Sequence, residues 1–92
     1  MVDYERQPRV LVVEDDDAIA QVLQRSLRME GYDVKIAGDG VSALDQAHAF
    51  LPDLVILDLG LPRLDGIEVA KTLRESDDVP ILVLTARDAV EA

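Results

Sequence analysis

The 92-residue chain contains no cysteine and no tryptophan, and aromatic residues make up only 3% of it. Without cysteine, the chain has no disulfide framework, no thiolate metal site and no thiol nucleophile. The single histidine, His48, has no histidine partner and is expected on a helix surface or boundary. No apolar run approaches transmembrane length, and the first eight residues lack the apolar core of a signal peptide. We therefore expect a cytoplasmic protein.

Basic residues are also scarce: 9 Lys and Arg stand against 19 Asp and Glu, for a net charge of -10. This balance argues against direct nucleic-acid contact and against an anionic membrane surface, because both require a basic footprint. A hydrophobic content of 49% is enough for one core, and the length allows a single domain. We expect a disordered lead over residues 1–8 and one domain over residues 9–92.

Short apolar runs alternate with helical patterns along the chain, which predicts an α/β fold with a doubly wound parallel sheet. The predicted strands are 9–13, 32–37, 54–58 and 81–85, and the second, with its alternating pattern, is expected at an edge. The predicted helices are 17–30, 41–50 and 67–75. The inward residues are expected to be Ile19, Val22, Leu23, Ser26 and Leu27 in the first helix, Val41, Ala43, Leu44 and Ala47 in the second, and Ile67, Ala70 and Leu73 in the third.

Acidic side chains follow two of the predicted buried strands. Glu14 and Asp15 come directly after the first strand, and Asp58 ends the third. Ligands of parallel sheets bind beyond the carboxyl ends of the strands, so these carboxylates are expected to meet there. Oxygen ligands without His or Cys favour a hard cation, and Mg²⁺ fits best. Thr85, at the end of the last strand, adds a hydroxyl to the same edge.

Several of these residues also have simpler explanations. Asp16 and Asp17 are explained by capping of the following helix, and Thr85 alone by strand propensity. The spacing Gly38-x-Gly40-x-x-Ala43, with Asp58 further along the chain, matches the residue spacing of a dinucleotide-binding fingerprint. The plainer interpretation is a turn in which these glycines supply positive φ. An Asp-x-Asp magnesium phosphatase is disfavoured, because glycine stands at position 60.

Three sequence blocks, Val10–Asp16, Asp58–Gly66 and Val79–Ala86, together resemble the receiver domain of two-component response regulators. The residue pattern of the three blocks is most similar to that of regulators that carry a winged-helix DNA-binding domain. The resemblance implies a flavodoxin-like receiver fold. It also implies that the protein is not an enzyme. It also implies that Asp58 accepts a phosphoryl group from a sensor histidine kinase. It further implies that Mg²⁺ is held by Glu14, Asp15, Asp58 and the Gly60 carbonyl, with Thr85 and the Ala86 N–H on the phosphoryl oxygens.

The chain departs from the family pattern at its C-terminal side. Receiver domains have five strands, and the family's phosphate-contacting lysine follows the fifth, whereas this sequence supplies four strands. The last strand is then expected to form an unpaired apolar edge, and two copies could form a homodimer or exchange elements. The alternative function is a phosphorylation-impaired module that only binds a kinase or dimerises. DNA binding would belong to a longer parent protein.

Overall fold

A computed structural model of the chain describes residues 6–58, 66–76 and 79–84. Within these ranges strands and helices alternate, as the sequence pattern predicts. The strands are β1 (Arg9–Val13), β2 (Asp33–Ala37), β3 (Leu54–Asp58) and β4 (Ile81–Leu84). The helices are α1 (Asp17–Met29), α2 (Gly40–Phe50) and α3 (Gly66–Ser76). Within the described ranges, no observed boundary differs from its predicted position by more than one residue.

The four described strands form one parallel sheet in the order β2-β1-β3-β4. β2 is an edge strand, as predicted, and β1 and β3 lie in the centre. In both central strands nearly every side chain is buried, as expected where helices cover both faces of a parallel sheet. The predicted doubly wound α/β fold is therefore confirmed.

Alternate side chains of the strands build a separate core on each face of the sheet. On one face Leu11, Val13, Val55 and Leu57 pack with side chains of α2 and α3. On the other face Val10, Val12, Val34 and Ile56 pack with Leu23 and Leu27 of α1. Among the described elements, two helices thus cover the first face and one helix covers the second. None of the helices in the described ranges is long and apolar enough to cross a membrane.

The prediction of an unpaired apolar edge at β4 is confirmed for the described residues. β4 pairs with β3 alone among the described strands. Leu82, which is paired with Ile56, remains 50% exposed, and Val83 remains 42% exposed. About half of each side chain is therefore open at this edge.

Two of the predicted inward faces were partly wrong. In α1 the residue facing the sheet most closely is Ala20, accompanied by Leu23 and Leu27, whereas Ile19 and Val22 are 50% and 64% exposed. Ser26 is exposed as well. In α2, Val41 is exposed, although Ala43, Leu44 and Ala47 face the core as predicted. Periodicity alone could not choose between two apolar stripes on one helix.

In the part of the chain that the structure describes, two connections contain residues with positive φ. Gly31, which follows the C-cap residue of α1, has φ +97°, a conformation that glycine adopts readily at helix ends. Gly38 and Gly40 have no positive φ, so the prediction that they supply it was wrong. Leu51 ends α2 with φ +54°, although its side chain is 59% exposed. A leucine in the left-handed region is strained, because its Cβ crowds the backbone.

Replacement of Leu51 by asparagine should stabilise the fold. Asparagine tolerates the left-handed region better than leucine, so we expect the free energy of unfolding to rise by about 0.5–1 kcal/mol. Urea denaturation measures this change. Val41→Asn is the matched control, because it removes an exposed apolar side chain from a helical position without relieving strain. Equal effects of the two substitutions would contradict the prediction.

The segment before β1 is attached to the amino-terminal end of the sheet. The Arg6 guanidinium donates to both carboxylate oxygens of Asp53, at 3.0 and 3.1 Å, and the backbone N–H of Arg9 donates to the same carboxylate at 2.8 Å. The Pro8 carbonyl accepts from the Asp33 N–H at 2.9 Å. The N–H of Arg9, with Arg6 beside it, holds the pKa of Asp53 below its ordinary value. The domain boundary at residue 9 stays a prediction.

Candidate functional site

The register of the two central strands brings acidic residues together at the carboxyl end of the sheet. Val13 of β1 is paired with Leu57 of β3, so the next residue of each chain segment, Glu14 and Asp58, lies at the same edge. Asp15 follows Glu14 in the loop that leads into α1. The three carboxylates therefore converge because parallel strands end side by side.

Backbone contacts fix Glu14 at this edge. Its N–H donates to the Ala37 carbonyl at 2.9 Å, which continues the pairing of β1 with β2 by one residue. Its carboxylate accepts from the Asp16 N–H at 3.2 Å. Asp16 in turn caps α1, since its side chain accepts from the Ile19 N–H at 3.1 Å. The start of α1 thus orients the Glu14 carboxylate.

Oxygen atoms from Glu14, Asp15 and Asp58, one from each, all lie within 4.8 Å of one another. Glu14 is buried, Asp58 is partly buried, and Asp15 is exposed. Burial raises the pKa of Glu14 from 4.5 to about 7, although the Asp16 N–H lowers it. Hydrogen bonding to Asp58 and its negative charge raise the pKa further, and Asp15 adds to the rise. The neighbouring carboxylates thus favour the protonated form of Glu14 in the metal-free protein.

This donor set fits a hard divalent cation. Carboxylate oxygens from two chain segments, with no nitrogen or sulfur ligand among the three residues, are what Mg²⁺ prefers. A cation among them would favour the ionised form of Glu14, which burial and its neighbours oppose. The partly buried Asp58 also offers a carboxylate oxygen beside the cation position, where it can act as a nucleophile. Both properties follow from the same three side chains.

The structure brings together three of the sequence-predicted site residues and leaves the others untested. Glu14, Asp15 and Asp58 form the cluster. Gly60, Thr85 and Ala86 lie outside the described residues, so their predicted roles stay predictions. The capping role assigned to Asp16 is confirmed, but the donation of its N–H to Glu14 was not anticipated, because backbone donors leave no trace in a sequence pattern.

A second feature missed by the sequence interpretation is an exposed apolar strip on α1. Ile19, Val22 and Met29 are 50%, 64% and 80% exposed and lie at helical spacing on the side of α1 that turns away from the core. Arg25 is exposed within the same strip. The strip begins within one turn of the acidic cluster. The sequence contains this apolar stripe, but the prediction that Ile19 and Val22 face the core was wrong.

Comparisons with known proteins agree with this geometry. The family model described as "Response regulator receiver domain" matches residues 10–92. Response regulator MprA of Mycobacterium avium is 55% identical over 83 residues, which cover 89% of this chain and 36% of the relative. The chain thus spans about a third of the length of the curated relatives it matches.

Solved structures show the same fold. Chemotaxis response regulator CheY4 of Vibrio cholerae superposes with a TM-score of 0.83 at 34% identity, covering 94% of this chain and 74% of that one. A structure of the histidine kinase ThkA in complex with the response regulator TrrA matches with a TM-score of 0.79 at 38% identity, covering 87% and 70%. With its fold and acidic cluster in agreement, the chain belongs to the receiver domain family of response regulators.

Proposed function

We propose that this chain accepts a phosphoryl group from a sensor histidine kinase on Asp58, in a reaction that requires Mg²⁺. The observation that carries the proposal is the placement of Asp58 within 4.8 Å of Glu14 and Asp15 at the carboxyl end of the sheet. The complex of a kinase with a response regulator among the similar structures supports this class of partner. The cytoplasmic location predicted from the sequence is part of the proposal.

In the proposed transfer, a carboxylate oxygen of Asp58 attacks the phosphorus atom of the donor. The bond from phosphorus to the donor histidine nitrogen breaks as the new bond to oxygen forms, and the histidine keeps the electron pair. The phosphohistidine ring reacts with a proton on its other nitrogen, so the products are an acyl phosphate on Asp58 and a neutral imidazole on the kinase. Bound Mg²⁺ would neutralise charge on the phosphoryl oxygens. Glu14 and Asp15 would hold the ion, with Gly60 as a further ligand.

Other residues have proposed roles that follow from the family resemblance. Thr85 would donate its hydroxyl to a phosphoryl oxygen, and the Ala86 N–H would donate to another. Because relatives are longer, we propose that a parent protein containing this domain carries an output domain that binds DNA and regulates transcription. Receiver domains act as signalling modules, and we propose no turnover of an external substrate by this chain.

Mass spectrometry of the intact chain tests the proposal. After incubation with acetyl phosphate and Mg²⁺, we expect one phosphoryl adduct per chain, and no adduct when EDTA removes the metal. The adduct should disappear in mild base, because acyl phosphates hydrolyse there. If a folded sample shows no adduct, or if the adduct forms equally with EDTA, the proposed function is wrong.

The exposed strip on α1 favours kinase docking, which both this function and the alternative of a binding module without transfer require. Exposed apolar side chains such as Ile19, Val22 and Met29 contribute nothing to the described core. A contiguous apolar strip of this kind is typical of a protein–protein contact. We propose that the kinase packs against this strip, which would place its histidine near the acidic cluster.

A charge in the middle of the strip should separate docking from chemistry. We expect Val22→Lys to slow transfer from an autophosphorylated histidine kinase at least tenfold, because a desolvated lysine opposes binding by roughly 2 kcal/mol. Phosphorylation by acetyl phosphate should change less than twofold. Ala49→Lys, which adds the same charge at an exposed position of α2, is the control. Equal slowing with both donors would contradict the docking role.

The binding-only alternative predicts a different result from the same two assays. A chain that serves only as a docking module binds the kinase through the strip but gains no phosphoryl group from either donor. Binding is measured by calorimetry with the unphosphorylated kinase, using wild type and Val22→Lys. Tight binding without an adduct would favour this alternative over the proposed acceptor.

A further inference from the structure

A small cavity lies at the end of the sheet opposite the acidic cluster. It has a volume of about 160 Å³ and sits between the C-terminal half of α2, the connection to β3, and α3. β3 spans roughly 13 Å between this end and Asp58, at 3.3 Å per residue. The cavity is therefore separate from the proposed phosphorylation site and belongs to none of the roles assigned above.

The cavity has an apolar floor and a mixed rim. Leu73 of α3, Val79 before β4, and Pro52 form the buried floor. Ala47 of α2, which is partly buried, lines the side of the cavity. His48 lies at the exposed rim and is the one polar side chain among the described lining residues. Its imidazole offers a hydrogen-bond donor or acceptor at the mouth of an otherwise apolar space.

The rim residue Leu51 is a second, independent indication of a site. Its backbone is in the left-handed region at φ +54°, yet its apolar side chain is 59% exposed. Nothing in the folded core requires a leucine there, since glycine or asparagine is the common choice for a helix end of this kind. A strained residue that holds an apolar wall in place is typical of a ligand site.

The volume and the lining residues of the cavity favour one class of ligand. An engineered apolar protein cavity of about 150 Å³ holds a benzene ring. We propose that this cavity binds a small neutral molecule with one six-membered aromatic ring and one hydroxyl group, with the ring on Leu73 and Val79 and the hydroxyl toward His48. A charged molecule is disfavoured, because the floor offers it no partner. The proposal does not depend on the phosphorylation of Asp58.

Methyl NMR of the ¹³C-labelled chain with phenol tests the proposal. We expect the methyl signals of Ala47, Leu73 and Val79 to shift, with a Kd on the order of 1 mM, as ligand efficiency allows for seven heavy atoms. The methyl signals of Val12 and Val34, on the other face of the sheet, should remain in place. The absence of shifts in the folded wild type at millimolar phenol would overturn the proposal, as would equal shifts on both faces.

Substitutions on α2 sharpen the test. Ala47→Leu fills the cavity and should weaken phenol binding more than tenfold, whereas Ala49→Leu, the same change at an exposed position beside it, should leave binding unchanged. His48→Ala should weaken phenol binding about threefold to tenfold while leaving toluene binding unchanged, since only phenol uses the hydrogen bond. Phenol binding that survives Ala47→Leu would overturn the proposal.

Leu51→Asn keeps the proposal falsifiable if Ala47→Leu fails to fold. This substitution removes the apolar wall at the rim while relieving the left-handed strain, so the chain should melt at a higher temperature and still bind phenol several-fold more weakly. Val41→Asn, remote from the cavity, should leave phenol binding at the wild-type value. Unchanged phenol binding in the folded Leu51→Asn variant would overturn the proposal, because the apolar wall at the rim would then form no part of a ligand site.

Discussion

Asp58→Asn should abolish the phosphoryl adduct that acetyl phosphate forms on the wild-type chain, with a loss of at least 100-fold. The carboxamide that replaces the carboxylate is not a nucleophile at neutral pH, so the new bond to phosphorus cannot form. The fold should survive, because Asp58 is only partly buried at the strand end and asparagine has nearly the same volume. The rate of adduct formation, followed by intact mass, measures the effect.

The matched control is Asp45→Asn, the same chemical change at an exposed position on α2. We expect it to form the adduct at the wild-type rate. Asp58→Asn also removes a negative charge beside Glu14, so the pKa of Glu14 should fall toward its ordinary value. An undiminished adduct on Asp58→Asn would mean that another residue accepts the phosphoryl group.

The metal-free chain should lose stability as the pH rises from 5 to 8. The pKa of Glu14 is about 7 in the folded chain against an ordinary 4.5, so the folded state binds a proton more tightly than the unfolded state. The stabilisation is therefore fully present below pH 4.5 and is lost as the pH passes through 7. The expected loss is on the order of 2–3 kcal/mol, measured by urea denaturation in EDTA.

Two variants and added Mg²⁺ distinguish the effect of Glu14 ionisation on stability from general charge repulsion. Glu14→Gln should flatten the dependence on pH, whereas Glu30→Gln, an exposed acid after α1, should retain it. Mg²⁺ should restore stability at pH 8, because it favours the ionised carboxylate. Asp53, whose pKa is lowered, contributes in the opposite direction and only at more acidic pH. Stability that rises between pH 5 and 8 without metal would contradict the account.

The fold and the proximity of Glu14 and Asp58 could be predicted from the sequence, because they depend on strong local patterns. Apolar runs such as Leu54–Leu57 have few alternatives to a buried strand, and strand–helix alternation leaves few topologies. Once the strands are parallel, Glu14 and Asp58 must meet at one edge. The positions of these two residues in the sequence therefore determine their proximity in the fold.

The features that escaped prediction depend on choices between near-equal alternatives. α1 carries apolar residues on two sides, so which side packs on the sheet is decided by the fit of Ala20, Leu23 and Leu27 against β1 and β2. The left-handed backbone of Leu51 could not be predicted, because glycine and asparagine are the residues that usually adopt this conformation at a helix end. The cavity beneath it arises from how α2 and α3 pack together, which single-residue patterns do not encode.

The most direct test of the central claim is to identify the residue that carries the phosphoryl group. After reaction with acetyl phosphate and Mg²⁺, borohydride reduction converts an aspartyl phosphate to homoserine, which peptide mass spectrometry locates. The account predicts homoserine at position 58 in wild type and at no position in Asp58→Asn. Homoserine at Asp15 or at any other aspartate, with position 58 intact, would contradict the claim that Asp58 is the acceptor.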